Sequence, residues 1–242
     1  MDDAATPERI ASRFPAARRS AQPAWLVPAL AVIPPALVVA ATWLQPWVPA
    51  DELLRDPLAV AALADPCCQA HFGFVSNLGV LVWTAAAAVC LFASLVLIGM
   101  AAPWSVFMLA YAGVFTGLFA LDDMLMLHEY VLPAFGLTER VAYAAYGLAG
   151  FLYLLLFYRQ LLSHLPALFL SACGCLGLSV VIDQVIHSDR PLRLLAEDGA
   201  KFFGLWMWAL YHVDLSWRLC RGNPYRSLQR PATASGPGST RP

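Results

Sequence analysis

The sequence predicts an all-α, polytopic membrane protein with six transmembrane helices and both termini cytoplasmic, on three observations. Of 242 residues, 60% are apolar and only 13% are charged, a balance far from that of an ordinary globular domain. The apolar residues gather in runs close to the roughly 20 that are needed, at about 1.5 Å rise each, to cross about 30 Å of hydrocarbon. The arginines concentrate in the two tails, which the positive-inside rule assigns to the cytoplasm.

Residues 1–24 form a polar N-terminal tail carrying Arg9, Arg13, Arg18 and Arg19. The first span, Trp25 to Leu44, is expected as a retained anchor, because its apolar run exceeds that of a typical signal peptide. Pro34 and Pro35 near its middle remove backbone donors and should bend it. A loop from Gln45 to Phe74 follows, with a short apolar piece, Leu58 to Leu63, suited to the interface. The remaining spans are read as Val75 to Met100, Trp104 to Leu127, Arg140 to Leu162, Ala167 to His187 and Asp198 to Leu219. The membrane domain thus occupies residues 25–219. Residues 220–242, with Pro, Ser, Gly and Thr, read as a disordered cytoplasmic tail.

With a net charge of -1 and its basic residues mainly in the tails, the chain offers little to nucleic acid; anionic headgroups are the natural partners of those tails. The expected location is the plasma (inner) membrane of a bacterium. Six cysteines give no disulfide framework, since Cys90, Cys173 and Cys175 fall inside spans and Cys220 lies on the cytoplasmic side. Cys67, Cys68 and His71 leave free thiols, an intermolecular bond or a soft-metal contact open.

Threading the chain this way places twelve of its sixteen acidic residues on one face: Asp51, Glu52, Asp56, Asp65, Asp122, Asp123, Glu129, Glu139, Asp183, Asp189, Glu197 and Asp198. Acids contribute little to orientation, so the asymmetry needs another cause. The first four belong to the loop and read as solvated. Asp122, Asp123, Glu129, Asp183, Glu197 and Asp198 converge from three helices with His128, His187 and Lys201 at one depth, where unpaired charge is costly. On an uninterrupted third span, Asp122 and Glu129 share a face seven positions apart, with Asp123 and His128 on its flanks. Asp183 and His187 form an i,i+4 pair suited to a metal, or to a carboxylate that orients an imidazole. Glu197 and Lys201 are spaced as a favourable i,i+4 ion pair. Gly204, Trp208 and Tyr211 continue the Lys201 face inward as a stripe able to line a cavity. Ser76, at the start of the second span, reads first as an N-cap and second as a nucleophile.

Ser76-Asn77-Leu78 at one helix start, followed on the next helix by Leu121-Asp122-Asp123-Met124-Leu125-Met126, resembles parts of the alkaline ceramidase branch of the CREST membrane hydrolases. The resemblance implies a multi-helix zinc enzyme that hydrolyses lipid amides with a serine and an aspartate. Only Ser76 and one of Asp122 or Asp123 are carried over by direct match. The histidine that precedes the acidic motif in that family, and its late H-x-x-x-H, have no counterpart here.

These residues support a metal-dependent hydrolase of a lipid amide or ester, acting on a lipid or amphiphile substrate at the outer leaflet. Asp122, His128, Asp183, His187, Glu197 and Asp198 are the candidate ligands for a divalent metal (Zn, Mn, Fe or Mg) that would lower the pKa of bound water. Ser76, Asp123, Glu129 and Lys201 are the candidate catalytic groups, with Asp123 or Glu129 as base and Lys201 facing the oxyanion. Arg190, Arg193, Trp208 and Tyr211 are the candidate substrate contacts. An ion- or proton-coupled transporter and a non-catalytic membrane scaffold are the alternatives.

Overall fold

The computed structural model describes residues 25–63, 69–186 and 191–221. Among them there are helices and no strand: α1 (Leu26–Leu44), α2 (Ala50–Leu54), α3 (Pro57–Leu63), α4 (Phe74–Leu97), α5 (Pro103–Leu125), a π-helical turn (Leu127–Val131), α6 (Leu132–Ala134), α7 (Glu139–Ser163), α8 (Pro166–Val185) and α9 (Pro191–Arg221). Five of these, α1, α4, α5, α7 and α8, are long and apolar enough to cross a membrane, which marks a multi-pass membrane protein. Trp25 and Trp104 lie exposed near one end of the bundle, Trp43 and Trp47 near the other, where amphipathic rings suit the two membrane boundaries. The boundary beside Trp43 is also where Asp122, Asp183 and Glu197 lie, and is called the acidic end below.

Two hairpins make the centre. α4 packs on α5, and Gly113 lets their backbones close, since a Cβ there would fall 2.6 Å from Leu91 Cγ. α8 packs on α9 in the same way, with Gly204 seated against the Leu176 backbone nitrogen at 2.8 Å from where a Cβ would stand. Small residues at such crossings permit close helix contact within a bilayer. α9 joins the hairpins through α4 and carries α1 on another face. It runs unbroken for 31 residues from Pro191, beginning seven residues before the span expected from sequence. Its inward side buries Phe202, Leu205, Trp208, Tyr211 and Leu215.

The core is aromatic. Tyr111, Phe115, Phe119, Tyr153, Phe157, Phe169 and Trp208 form a run of ring contacts, with Tyr111 and Tyr153 stacked at 5.4 Å. Around Trp208 and His212 its polar atoms are matched to partners. Trp208 Nε1 donates to Thr116 Oγ1 at 3.0 Å, Tyr211 Oη donates to the Leu161 carbonyl at 2.8 Å, and fully buried His212 meets Tyr153 Oη at 3.0 Å and the Trp208 carbonyl at 2.9 Å. Matched donors and acceptors make buried polar groups tolerable.

Two expectations are corrected. The segment after α1 is not an open loop with one interfacial piece: α2 packs on α4 and α9, and Leu54 enters the core. Trp208 and Tyr211 do not line a cavity, because their rings fill the core and their polar atoms are used inside it.

Candidate functional site

The site begins with a glycine. Gly73 caps α4 in the left-handed region at φ 65°, and a Cβ there would fall 2.4 Å from Pro57; glycine alone accepts both conditions without strain. Its N–H donates to the Glu52 carbonyl at 2.8 Å, and Glu52 Oε2 also faces His71 Nε2 at 2.9 Å. The α2–α3 segment is thereby held on the first turn of α4. Asp56, just before Pro57, comes to lie against Ser76, whose hydroxyl donates to Asp56 Oδ1.

Opposite this pair, Lys201 Nζ donates to Asp123 Oδ1 at 3.0 Å, joining α9 to α5 across the bundle. Asp56, Ser76, Asp123, Asp198 and Lys201 line one crevice whose apolar walls include Leu54, Gly79 and Leu205. The space open to the centre of a water-sized sphere is about 20 Å³, room for about one water.

A second group lies where α5 ends. Met126 is left-handed at φ 48° and the chain re-enters as a π-helical turn, a geometry often found beside functional sites. Asp122, only 3% exposed, holds the break together: Oδ1 accepts the His128 backbone N–H at 3.0 Å and Oδ2 faces His128 Nδ1 at 2.7 Å. Burial alone would lower the pKa of His128, but the hydrogen bond and charge of Asp122 outweigh it and raise the pKa above 6.5. Its Nε2 faces Glu129 Oε1 at 3.6 Å. Burial, then repulsion by Asp56, pushes the Glu129 carboxyl upward.

A third group joins α7, α8 and α9. Arg193 reaches Asp183 at 3.2 Å and Glu197 at 3.1 Å, while Tyr143 Oη donates to Asp183 Oδ2 at 3.1 Å. The Tyr143 ring also packs on His128, with centroids 5.2 Å apart. The three groups therefore form one polar layer at the acidic end.

Of the candidate residues, Ser76, Asp123, Asp198 and Lys201 meet in the crevice, and Glu129 stands beside His128. Ser76 is not an N-cap, since Gly73 holds that place. Asp122 and Glu129 do not share a helical face, because Met126 interrupts the helix. Glu197 pairs with Arg193, not Lys201. The predicted metal ligands also part: Asp122 and His128 bind each other, Asp183 and Glu197 share Arg193, and Asp198 lies in the crevice. Among the described residues no three His, Cys, Asp or Glu side chains are grouped to hold a metal; Arg193 and Lys201 already neutralise the nearest carboxylates. His187, Asp189, Arg190, Asp65, Cys67 and Cys68 lie outside the described residues, and α8 ends at Val185 with Ile186 extended. Sequence reasoning missed Asp56, set aside as a solvated loop acid; the signals for its placement were Pro57 and Gly73.

Fold and site together define a helical, multi-pass membrane protein with a charged, hydrogen-bonded layer at one membrane boundary. The chain belongs to the family described as a domain of unknown function, DUF8692, which it matches over residues 24–215. No curated protein and no solved structure matches it.

Proposed function

We propose that this protein is a hydrolase that cleaves an ester or amide of a membrane lipid or other amphiphile at the leaflet next to its acidic end. The observation behind this reading is the Ser76–Asp56 hydrogen bond set beside the Lys201–Asp123 pair in one crevice. Ser76 Oγ attacks the acyl carbon and its proton passes to Asp56. The developing oxyanion faces the Lys201 ammonium, which Asp123 holds in place. The intermediate collapses, the bond to the leaving oxygen or nitrogen breaks, and that atom takes the proton from Asp56. Water then attacks the acyl carbon on Ser76 and gives its proton to Asp56, and Asp56 returns a proton to Ser76 Oγ as the bond to the acyl group breaks and the acid leaves. No step is routed through a metal ion. Two of the groups, Ser76 and Asp123, also lie within the stretches that resemble alkaline ceramidases.

The reading includes a sixth span. α9 is less apolar than the other long helices because Lys201, His212 and Asp214 lie along it, yet its inward partners satisfy those groups, as a central membrane helix requires. Six spans put both termini on the cytoplasmic side and the acidic layer on the outer face of a bacterial inner membrane.

The test is turnover of ester- and amide-linked amphiphiles by the purified full chain. Ser76→Ala and Asp56→Asn abolish turnover without lowering the melting temperature. Gly73→Ala lowers turnover about 10-fold or more, by driving Pro57 and Asp56 away from Ser76. Turnover that survives Ser76→Ala ends the reading.

A proton-coupled carrier has one observation in its favour: the buried His212–Tyr153 pair lies between the acidic layer and the His164–Asp214 pair at the opposite end. Substrate flux in proteoliposomes that follows the pH gradient and survives Ser76→Ala selects the carrier.

A further inference from the structure

Trp83 has the one indole nitrogen among the described residues that is buried without a hydrogen-bond partner: the ring is 3% exposed and Nε1 has no acceptor. The neighbouring indoles differ. Trp206 Nε1 donates to the Leu30 carbonyl at 2.8 Å and Trp208 Nε1 donates to Thr116. An unsatisfied buried donor is costly and uncommon, and calls for an explanation.

Its position suggests one. Trp83 lies one helical turn inward of Gly79 on the same face of α4, and Gly79 lines the crevice. Helical side chains lean toward the helix N-terminus, so a residue covers the turn that precedes it. For α4 that direction is toward Ser76 and the acidic end. Gly79 contributes no side chain between them, and a Cβ there would press on Leu205 Cδ2 at 3.2 Å. Phe119, one turn inward of Asp123 on α5, stacks on the Trp83 ring at 5.4 Å and 16°. That stack fixes the ring one turn inward of the crevice, whose lining includes Gly79 but not Trp83 itself.

We propose that the Trp83 N–H is the floor donor of the site, hydrogen-bonded to the acyl carbonyl oxygen of the bound substrate. The inference rests on the hydrolase reading. It narrows the substrate to one that carries a neutral acceptor oxygen on an apolar stem, a carboxylic ester or amide. An anionic phosphate is disfavoured there, because the crevice lining sets three carboxylates, Asp56, Asp123 and Asp198, against the single cation Lys201.

The test uses the full chain in detergent and an alkyl fluorophosphonate, whose P=O oxygen occupies the carbonyl position. Ser76 Oγ forms the bond to phosphorus, the P–F bond breaks, fluoride leaves, and the hydroxyl proton passes to Asp56. The wild-type protein takes label on Ser76 and Ser76→Ala takes none. Trp83→Phe, which keeps an aromatic ring and removes the N–H, slows labelling about 10- to 100-fold, with a melting temperature at or above that of wild type. Replacing Trp83 by benzothienylalanine, where sulfur substitutes the N–H in the same ring shape, gives the same slowing and guards against a packing defect in Trp83→Phe. Labelling of the benzothienylalanine protein at the wild-type rate overturns the role of Trp83 and leaves the hydrolase reading intact. A wild-type protein that takes no label overturns both.

Discussion

The interior and the acidic end both bury polar groups, and they treat them in opposite ways. Around His212, every polar atom is neutral and matched: the imidazole has both nitrogens engaged, and Trp208 and Tyr211 donate within the core. At the acidic end, charges are paired across helices through Lys201, Arg193 and His128. There a crevice remains open beside Ser76, and one helical turn inward of its Gly79 wall the Trp83 indole donor goes unused. Saturated polar groups specify packing, whereas groups left with spare capacity next to a cavity are available to a ligand. The difference separates scaffold from site more sharply than burial does, because Asp122 is about as buried as Trp208.

Three measurements sharpen or break that contrast. Trp208→Ala removes a ring 5% exposed that touches Phe115, Tyr153, Phe169 and His212, and costs about 3–5 kcal/mol. Detergent or denaturant unfolding reads this loss. A cost under about 1 kcal/mol means the aromatic core is not the scaffold.

Lys201→Ala leaves Asp123, 8% exposed, without its cation. The cost is about 1–3 kcal/mol, smaller than for a fully buried pair because Lys201 is itself a third exposed. The double variant Lys201→Met, Asp123→Leu recovers most of that stability and none of the turnover. Failure of the double variant to recover stability places the pair in the scaffold instead.

The smallest effect is a pH dependence at His128. A histidine whose pKa is raised by Asp122 stabilises the fold fully below its unfolded value of 6.5, and the contribution is lost as pH rises through the raised folded value. The melting-temperature gap between wild type and His128→Gln is therefore widest below the unfolded value of 6.5 and closes as pH rises through the raised folded value, with an underlying effect of about 1 kcal/mol. A gap that widens with pH contradicts the pairing with Asp122.

Much of the acidic layer was legible in the sequence because its signals are local. Asp122, Asp183, Glu197 and Lys201 stand near the ends of apolar runs, and the length of a run sets the depth of its ends. The five helices identified as membrane-crossing begin and end within a few residues of the expected spans. Partners were not legible. Lys201 has Glu197 four residues away on its own helix, yet it takes Asp123 from α5, because helix crossing angle and rotation bring that carboxylate closer. His128 meets Asp122 only because Met126 turns left-handed and ends the regular helix.

The sequence by itself determined the class of protein, the positions of five membrane-crossing helices and the polar residues at one membrane boundary, since hydrophobic length and charge placement act on each segment separately. Only the tertiary structure decided which of those residues face one another. It brought a loop aspartate onto Ser76 through Gly73, parted the expected metal ligands into an Asp122–His128 pair, two carboxylates on Arg193 and Asp198 in the crevice, and turned Trp208 and Tyr211 into core. The physical reason is that pairing depends on the mutual register and rotation of helices, which no single apolar run encodes.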